Sequence, residues 1–431
     1  MTASARPAAP PSVPDVFDPR IYRSGIPHQA YRTLREHHPV AWQEEYEVLG
    51  WPAGPGFWAV SRHADVVRVL KEPRLFSSHL GATQIRDPDP ADLPFIRRMM
   101  LNQDPSSGSG GADDHLRLRR LVSRAFTRGR IERFETVVRA RARQLLGAAR
   151  ESGEVVDLVG TVTDDYALLN LADLLGVPKG DRGLLLTWTQ RVIGYQDPDE
   201  SGAAADGPEG RPANPRSPAM LGEMFDYAQR LAAFKRRHPS DDVMTALAHA
   251  TDGDTRLTAP ELEMFFFLLT VAGNDTVRSA APGGLLALAG HRGEQRRLRA
   301  GEVSMASAVE ELLRHHPPVL TFRRTAARAT ELAGQRIEAG DKVVVLHASA
   351  NHDERVFTEP HRLDLGRTAN PHVSFGDGPH VCLGAHFARL QLRVLYEEAL
   401  REFPVLAPAG PPRRLVSNFI NGIKELPLRI A

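Results

Sequence analysis

Only one cysteine, Cys382, occurs in 431 residues. That excludes an intramolecular disulfide and any Cys-rich zinc or iron–sulfur site. An excess of one charge is also missing: 54 Lys and Arg against 53 Asp and Glu leave a net charge of +1. Neither a nucleic acid nor a membrane surface is therefore an expected partner. No run of about 18 apolar residues occurs. Residues 1–14 are rich in Ala, Pro and Ser without an apolar core, unlike a signal peptide or an anchor. There are no internal repeats, and no Gly-x-Gly-x-x-Gly follows a strand pattern to hold a flavin or a dinucleotide. The chain reads as a cytoplasmic monomer.

What is present is enough apolar residue, 42%, to build a sizeable core. Length alone suggests about three domains at ~150 residues each, but no linker divides the chain. We expect a disordered leader over 1–14 and one domain over 15–431. The periodicity is mainly helical from Phe95 to about residue 290, with small strand regions before Val60 and between Phe322 and Leu346. The fold class is mainly α with small β-sheets. Residues 106–112 (Gly/Ser) and 198–217 (Pro/Gly/Ala/Asp) are too polar to order themselves and are expected to be mobile loops near a ligand entrance.

Cys382 lies in Phe375-Gly-Asp-Gly-Pro-His-Val-Cys-Leu-Gly384, just before a helical run from Ala385 to Phe403. Glycines permit positive φ and close approach, and the helix N-terminus behind the thiol is expected to favour thiolate. Such a thiolate suits a haem iron; a structural cysteine beside a turn is the alternative.

A second constellation sits in Pro260–Ala289, which opens with a capping box, Thr258-Ala-Pro-Glu261, and is apolar on every side from Met264 to Ala272. Ala272-Gly-Asn-Asp-Thr276 interrupts it. Gly273 and Thr276 share a face and would leave a groove for a diatomic ligand, with Asp275 relaying protons. The competing reading is a Thr bonded to its own helix and Asp275 in a salt bridge. Pro282 should kink or shorten this helix. Glu311 and Arg314, three apart, suit a buried structural pair that Arg362 could complete. His115 and Arg119, four apart, could join Arg324 and His380 in cradling two carboxylates, as haem propionates require.

Together these motifs, in this order and over nearly the whole chain, resemble the cytochrome P-450 superfamily of haem-thiolate monooxygenases. Phe375 to Gly384 fits its Phe-x-x-Gly-x-x-x-Cys-x-Gly signature. The resemblance implies a long central helix over a haem b and Cys382 as iron ligand. It puts His115, Arg119, Arg324 and His380 on the propionates, and Phe375, Gly376, Gly384 and Ala272 against the cofactor. Thr276 and Asp275 become catalytic, with Glu311, Arg314 and Arg362 a core triad. Dioxygen would be the co-substrate, and electrons would come from a ferredoxin and its reductase, docked near Arg389 and Arg393.

Arg98 to Asp104, Leu269 to Gly273 and Ser417 to Ile423 are similar to the soluble bacterial branch that hydroxylates terpenoids, steroids and branched lipids. A secondary-metabolite intermediate would also suit, as a hydrophobic small molecule resting on Ala272, Val319, Phe322 and Phe419. The Gly/Ser run departs from the branch, which passes from Asp-Pro straight into the basic helix. The alternatives are an atypical oxidation on the same fold (coupling, nitration or peroxygenation), a haem-thiolate ligand sensor without turnover, and a helical binding protein with an incidental cysteine.

Overall fold

The computed structural model describes residues 13–104, 112–193, 196–199, 217–252 and 255–431. The insertions expected at 106–112 and 198–217 lie, apart from their ends, outside the described residues, as does the leader through residue 12. Val13 and Pro14 belong to the fold instead: Val13 packs on the N-terminal cluster, and the Pro14 carbonyl accepts from Gln43 Nε2 at 3.1 Å.

The principal helices are α1 (His28–His37), α2 (His63–Lys71), α3 (Ala112–Ser123), α4 (Glu135–Ser152), α5 (Asp164–Leu175), α6 (Arg182–Ile193), α7 (Pro218–Arg237), α8 (Ala259–Gly290), α9 (Met305–His315) and α10 (Ala385–Glu402). The largest sheet holds β1 (Val40–Gln43), β2 (Phe57–Val60), β3 (Phe76–Ser77), β4 (Thr321–Ala326) and β5 (Lys342–Leu346), in the order β1-β2-β5-β4-β3. Only β5–β2 is parallel, with Val344 opposite Ala59. The strands β2 and β5 are buried throughout, the apolar Phe57–Val60 and Val343–Leu346 by packing and Lys342 by its pair with Glu45 at 2.6 Å.

α8 crosses the core with 20 buried residues, from Leu262 to Ala289. Its start is the expected reciprocal cap: the Thr258 amide donates to Glu261 at 2.7 Å, and the Glu261 amide to Thr258 Oγ1 at 3.4 Å. It does not stop at Pro282 but continues to Gly290, a correction to the expected shortening. Tertiary packing outweighs the local cost of the proline: Gly284 makes room for Tyr396 of α10, whose hydroxyl donates to the Ala280 carbonyl at 3.0 Å. α5 and α7 pack alongside α8, and α4 lies on α10.

At the C-terminal end of α9 a chain of imidazoles gathers. His28, at the start of α1, lies 4.5 Å from His352, which lies 5.6 Å from His315, itself 5.9 Å from His316 (ring centroids). Burial holds His28 down to about 3, His315 down to about 4, and His316 and His352 well below the ordinary 6.5. The unfolded chain takes up these protons near pH 6.5, and the folded chain refuses them until far lower. Stability is therefore intact above about pH 6.5 and lost as pH falls toward 4, by at most about 1.4 kcal/mol per pH unit for each ring. Thermal midpoints measured from pH 7.5 down to about 5 should fall steeply; a flat profile would contradict the buried neutral rings.

Candidate active site

The cysteine loop is shaped by its glycines. Gly376 and Gly378 hold φ of 71° and 69°, and a Cβ on Gly378 would run into the Leu70 carbonyl of α2. Asp377 accepts from the Gly378 amide at 2.6 Å, and the Cys382 amide donates to the Phe375 carbonyl at 2.9 Å. These bonds close the loop, and α10 starts directly after Gly384. The Arg389 guanidinium covers the Phe375 ring at 4.3 Å.

Cys382 is surface-exposed by area yet enclosed by protein, because the surface it shows faces an internal cavity. That cavity, partly open to solvent, is lined mainly by apolar side chains. Burial pushes the thiol pKa up, against the downward pull of the Gly384 N–H and the Arg119 and Arg389 cations. The N–H at the start of α10 pulls the thiol toward thiolate as expected, but burial in the protein alone outweighs that pull. A thiol so placed ionises when a metal cation faces it.

His115, Arg119, Arg324 and His380 come together on the same cavity. The His115 and His380 rings lie 4.6 Å apart, Arg119 Nη2 donates to the Val381 carbonyl at 2.6 Å, and Arg324 Nη1 to the Arg323 carbonyl at 2.9 Å. Both nitrogens of the fully buried His115 lack a partner. Burial lowers His115 to about 4, Arg324 to about 10 and His380 well below its ordinary value. Among the described residues, Asp377 is the one carboxylate on the cavity wall, and Gly378 and Lys71 engage it. A buried imidazole without a partner, grouped with three more basic side chains beside a lone thiol, fits a metal-centred ligand that carries carboxylates. In chemistry and arrangement the donor set suits a haem.

Ala272 and Thr276 of α8 line the cavity, and the Thr276 hydroxyl donates to the Ala272 carbonyl at 2.7 Å. The expected Thr-to-own-helix bond and the cavity-facing position thus coexist. Asp275 is buried on another side of α8, 4.0 Å from Arg278, which is itself held by Asp164 at 2.8 Å. Gly273 opens less of a groove than expected, since the space beside it is filled by Leu171 of α5, 2.8 Å from where a Cβ would stand. Gly273→Ala should cost about 1–3 kcal/mol through overpacking. Chemical denaturation should show that loss, and Leu171→Ala should relieve part of it in the double variant; additivity would sink the contact.

Val319 and Phe322 line the cavity; Phe419 does not. It stands behind Phe322, ring centroids 5.6 Å apart and nearly perpendicular. Leu171, Leu174, Leu268 and His347 line the cavity without having been singled out in the sequence, because an apolar helix position carries no mark of which cavity it faces. His347 alone offered a signal, as a polar residue at the end of the apolar β5 run.

Glu311 and Arg314 form a buried two-bond pair, both bonds 2.8 Å. The third member is Arg367, whose Nε donates to Glu311 at 3.1 Å. Arg362 is a correction: its exposed guanidinium pairs with Glu359 at 3.0 Å, and only its carbonyl turns inward. Arg389 and Arg393 are likewise not bare docking cations. Arg389 is held by Glu310 at 2.7 Å, and Arg393 by Glu135 at 2.6 Å.

The sequence profile of the Cytochrome P450 family matches residues 219–428. Over 430 residues the chain is 35% identical to a steroid C26-monooxygenase of Rhodococcus jostii, covering 98% of this chain and 86% of the relative. It is 36% identical to a methyl-branched lipid omega-hydroxylase of Mycobacterium tuberculosis, covering 93% and 90%. Among solved structures, a Mycobacterium marinum cytochrome P450 in complex with pseudoionone superposes with a TM-score of 0.83 at 36% identity, covering 99% and 100%.

Proposed function

Because the chain belongs to the cytochrome P450 family, we propose that it is a haem b monooxygenase that hydroxylates a steroid, terpenoid or methyl-branched lipid. One observation carries this reading: the only thiol, the partnerless buried His115 and three further basic side chains line one apolar cavity together with Thr276. A single cysteine, taken as iron ligand, leaves none to attach the macrocycle covalently, which favours haem b. If bound, a haem would supply dioxygen activation, and the Cys382 thiolate holding its iron would favour O–O cleavage.

The chain's own side chains then have distinct tasks. Cys382 holds the iron, and His115, Arg119, Arg324 and His380 bind the two propionates. Phe375, Gly376, Gly384 and Ala272 pack against the ring. Thr276 spends its hydroxyl proton on Ala272 and so offers the cavity an acceptor that can orient a proton-bearing group. Asp275 feeds protons from the Arg278–Asp164 side of α8. Val319 and Phe322 form the substrate wall, with Phe419 bracing Phe322. Electrons arrive in the cytoplasm from a ferredoxin and its reductase, since no flavin or dinucleotide motif is present. Arg389 and Arg393, partly exposed and paired with Glu310 and Glu135, lie on the face proposed to dock them.

The test is reconstitution with a ferredoxin system, a sterol with an alkyl side chain and a methyl-branched lipid, under labelled dioxygen. One labelled oxygen in a hydroxylated product is expected, and Thr276→Ala should lower product per reducing equivalent by roughly 10²-fold or more. Equal turnover with peroxide alone, or no turnover with any lipid, would overturn the proposal.

A further inference from the structure

Outside the cavity that holds the cysteine loop, three imidazoles converge, one from the start of the chain and two from its last quarter. His28 opens α1, His352 follows the short helical turn His347–Ala350, and His361 lies nine residues later in the following loop. One nitrogen from each lies within 4.8 Å of those of the other two. The ring centroids are 4.5 Å apart for His28–His352, 5.0 Å for His28–His361 and 5.3 Å for His352–His361.

Their hydrogen bonding separates this cluster from ordinary packing. His352 is completely buried, and its Nδ1 lies 2.9 Å from the Ala348 carbonyl. A carbonyl only accepts, so Nδ1 carries the hydrogen and the neutral ring has its lone pair on Nε2. That Nε2 is buried without a partner, as is Nδ1 of His28. Two buried ring nitrogens without partners are costly in a well-packed interior. A backbone carbonyl on the far nitrogen is how metal-binding imidazoles are commonly oriented.

From this geometry we propose that His28, His352 and His361 bind one divalent zinc-class ion, one that prefers imidazole nitrogen and accepts tetrahedral coordination. Tetrahedral zinc with Zn–N near 2.0–2.1 Å needs nitrogens roughly 3.3 Å apart, so the cluster closes by at most about 1.5 Å. His361 is exposed and makes that adjustment; it also provides the entry path. A water completes the fourth position. The cations beside the cluster are already matched, Arg35 by Glu354 at 2.8 Å and Arg314 by Glu311 at 2.8 Å, so the incoming charge meets no bare guanidinium there. The ion staples α1 to a segment more than 300 residues away. That segment includes Asn351, which accepts from the Val373 amide and donates to Ser374 just before the cysteine loop.

Untagged full-length holoprotein, stripped with EDTA and desalted, is titrated calorimetrically with zinc chloride. One saturable equivalent per chain is expected, with a rise in thermal midpoint on zinc addition. His361→Ala should weaken binding at least about 10-fold and abolish the midpoint rise. The exposed His37→Ala should bind as wild type, and the carbon monoxide spectrum of His361→Ala should be unchanged. Because His361 is exposed, its loss does not threaten folding, so His352→Gln is a second arm only. No saturable equivalent, or undiminished binding in His361→Ala, overturns the site.

Discussion

Cys382→Ala is expected to yield a folded protein whose reduced carbon monoxide complex lacks the absorption of a thiolate-ligated haem. The fold should survive because the side chain faces the cavity and supports little else. The bond that closes its loop, from its own amide to the Phe375 carbonyl, is backbone only. The His115, Arg119, Arg324 and His380 set is untouched, so weakened haem retention is expected, not its total loss. Monooxygenation should fall by more than the roughly 100-fold that losing a mere supporting partner of a metal ligand costs. An unchanged spectrum in the variant would end the assignment of Cys382 to the iron.

The second large effect concerns the pair under the cysteine segment. Arg314 is completely buried and donates to both oxygens of Glu311 and to the Asn351 and Pro360 carbonyls, each at 2.8 Å. Arg314→Ala strips all of these and leaves a buried carboxylate with Arg367 and Asn370 as its remaining side-chain partners. Breaking a buried pair in this way costs about 3–5 kcal/mol, and a lower melting midpoint with poor haem retention should follow. The loop arginines give a sharper comparison. Arg367→Ala removes a donor from buried Glu311 and should cost about 1–3 kcal/mol, whereas Arg362→Ala loses only an exposed pair worth about 1 kcal/mol or less. Denaturation of the three variants tests the order Arg314, Arg367, Arg362; Arg362→Ala as the worse loop variant would refute the arrangement.

Those two arginines also mark where sequence reasoning stops. The cysteine loop was legible because its chemistry is contiguous: glycines, thiol and helix start all fall within ten residues. The central helix was legible from its cap and its apolar length, and Glu311–Arg314 from helical spacing. Arg362 and Arg367 lie in an irregular loop, where no period tells which guanidinium turns inward. Phe419 was expected on the substrate wall and instead backs Phe322, because reaching a cavity depends on what stands in front. Gly273 was read as open space, although Leu171 from another helix fills it.

The sequence by itself determined the order of the motifs, the family resemblance, the absence of any second thiol, and the helical and strand segments that carry each site residue. Those are properties of near neighbours along the chain, governed by local periodicity and covalent order. Only the tertiary structure decided that burial raises the Cys382 pKa against its helix N-terminus, and that α8 passes Pro282 unbroken. It alone joined His28 to His352 and His361 across more than 300 residues. Each of these depends on desolvation or contact between segments distant in sequence, which a one-dimensional pattern does not encode.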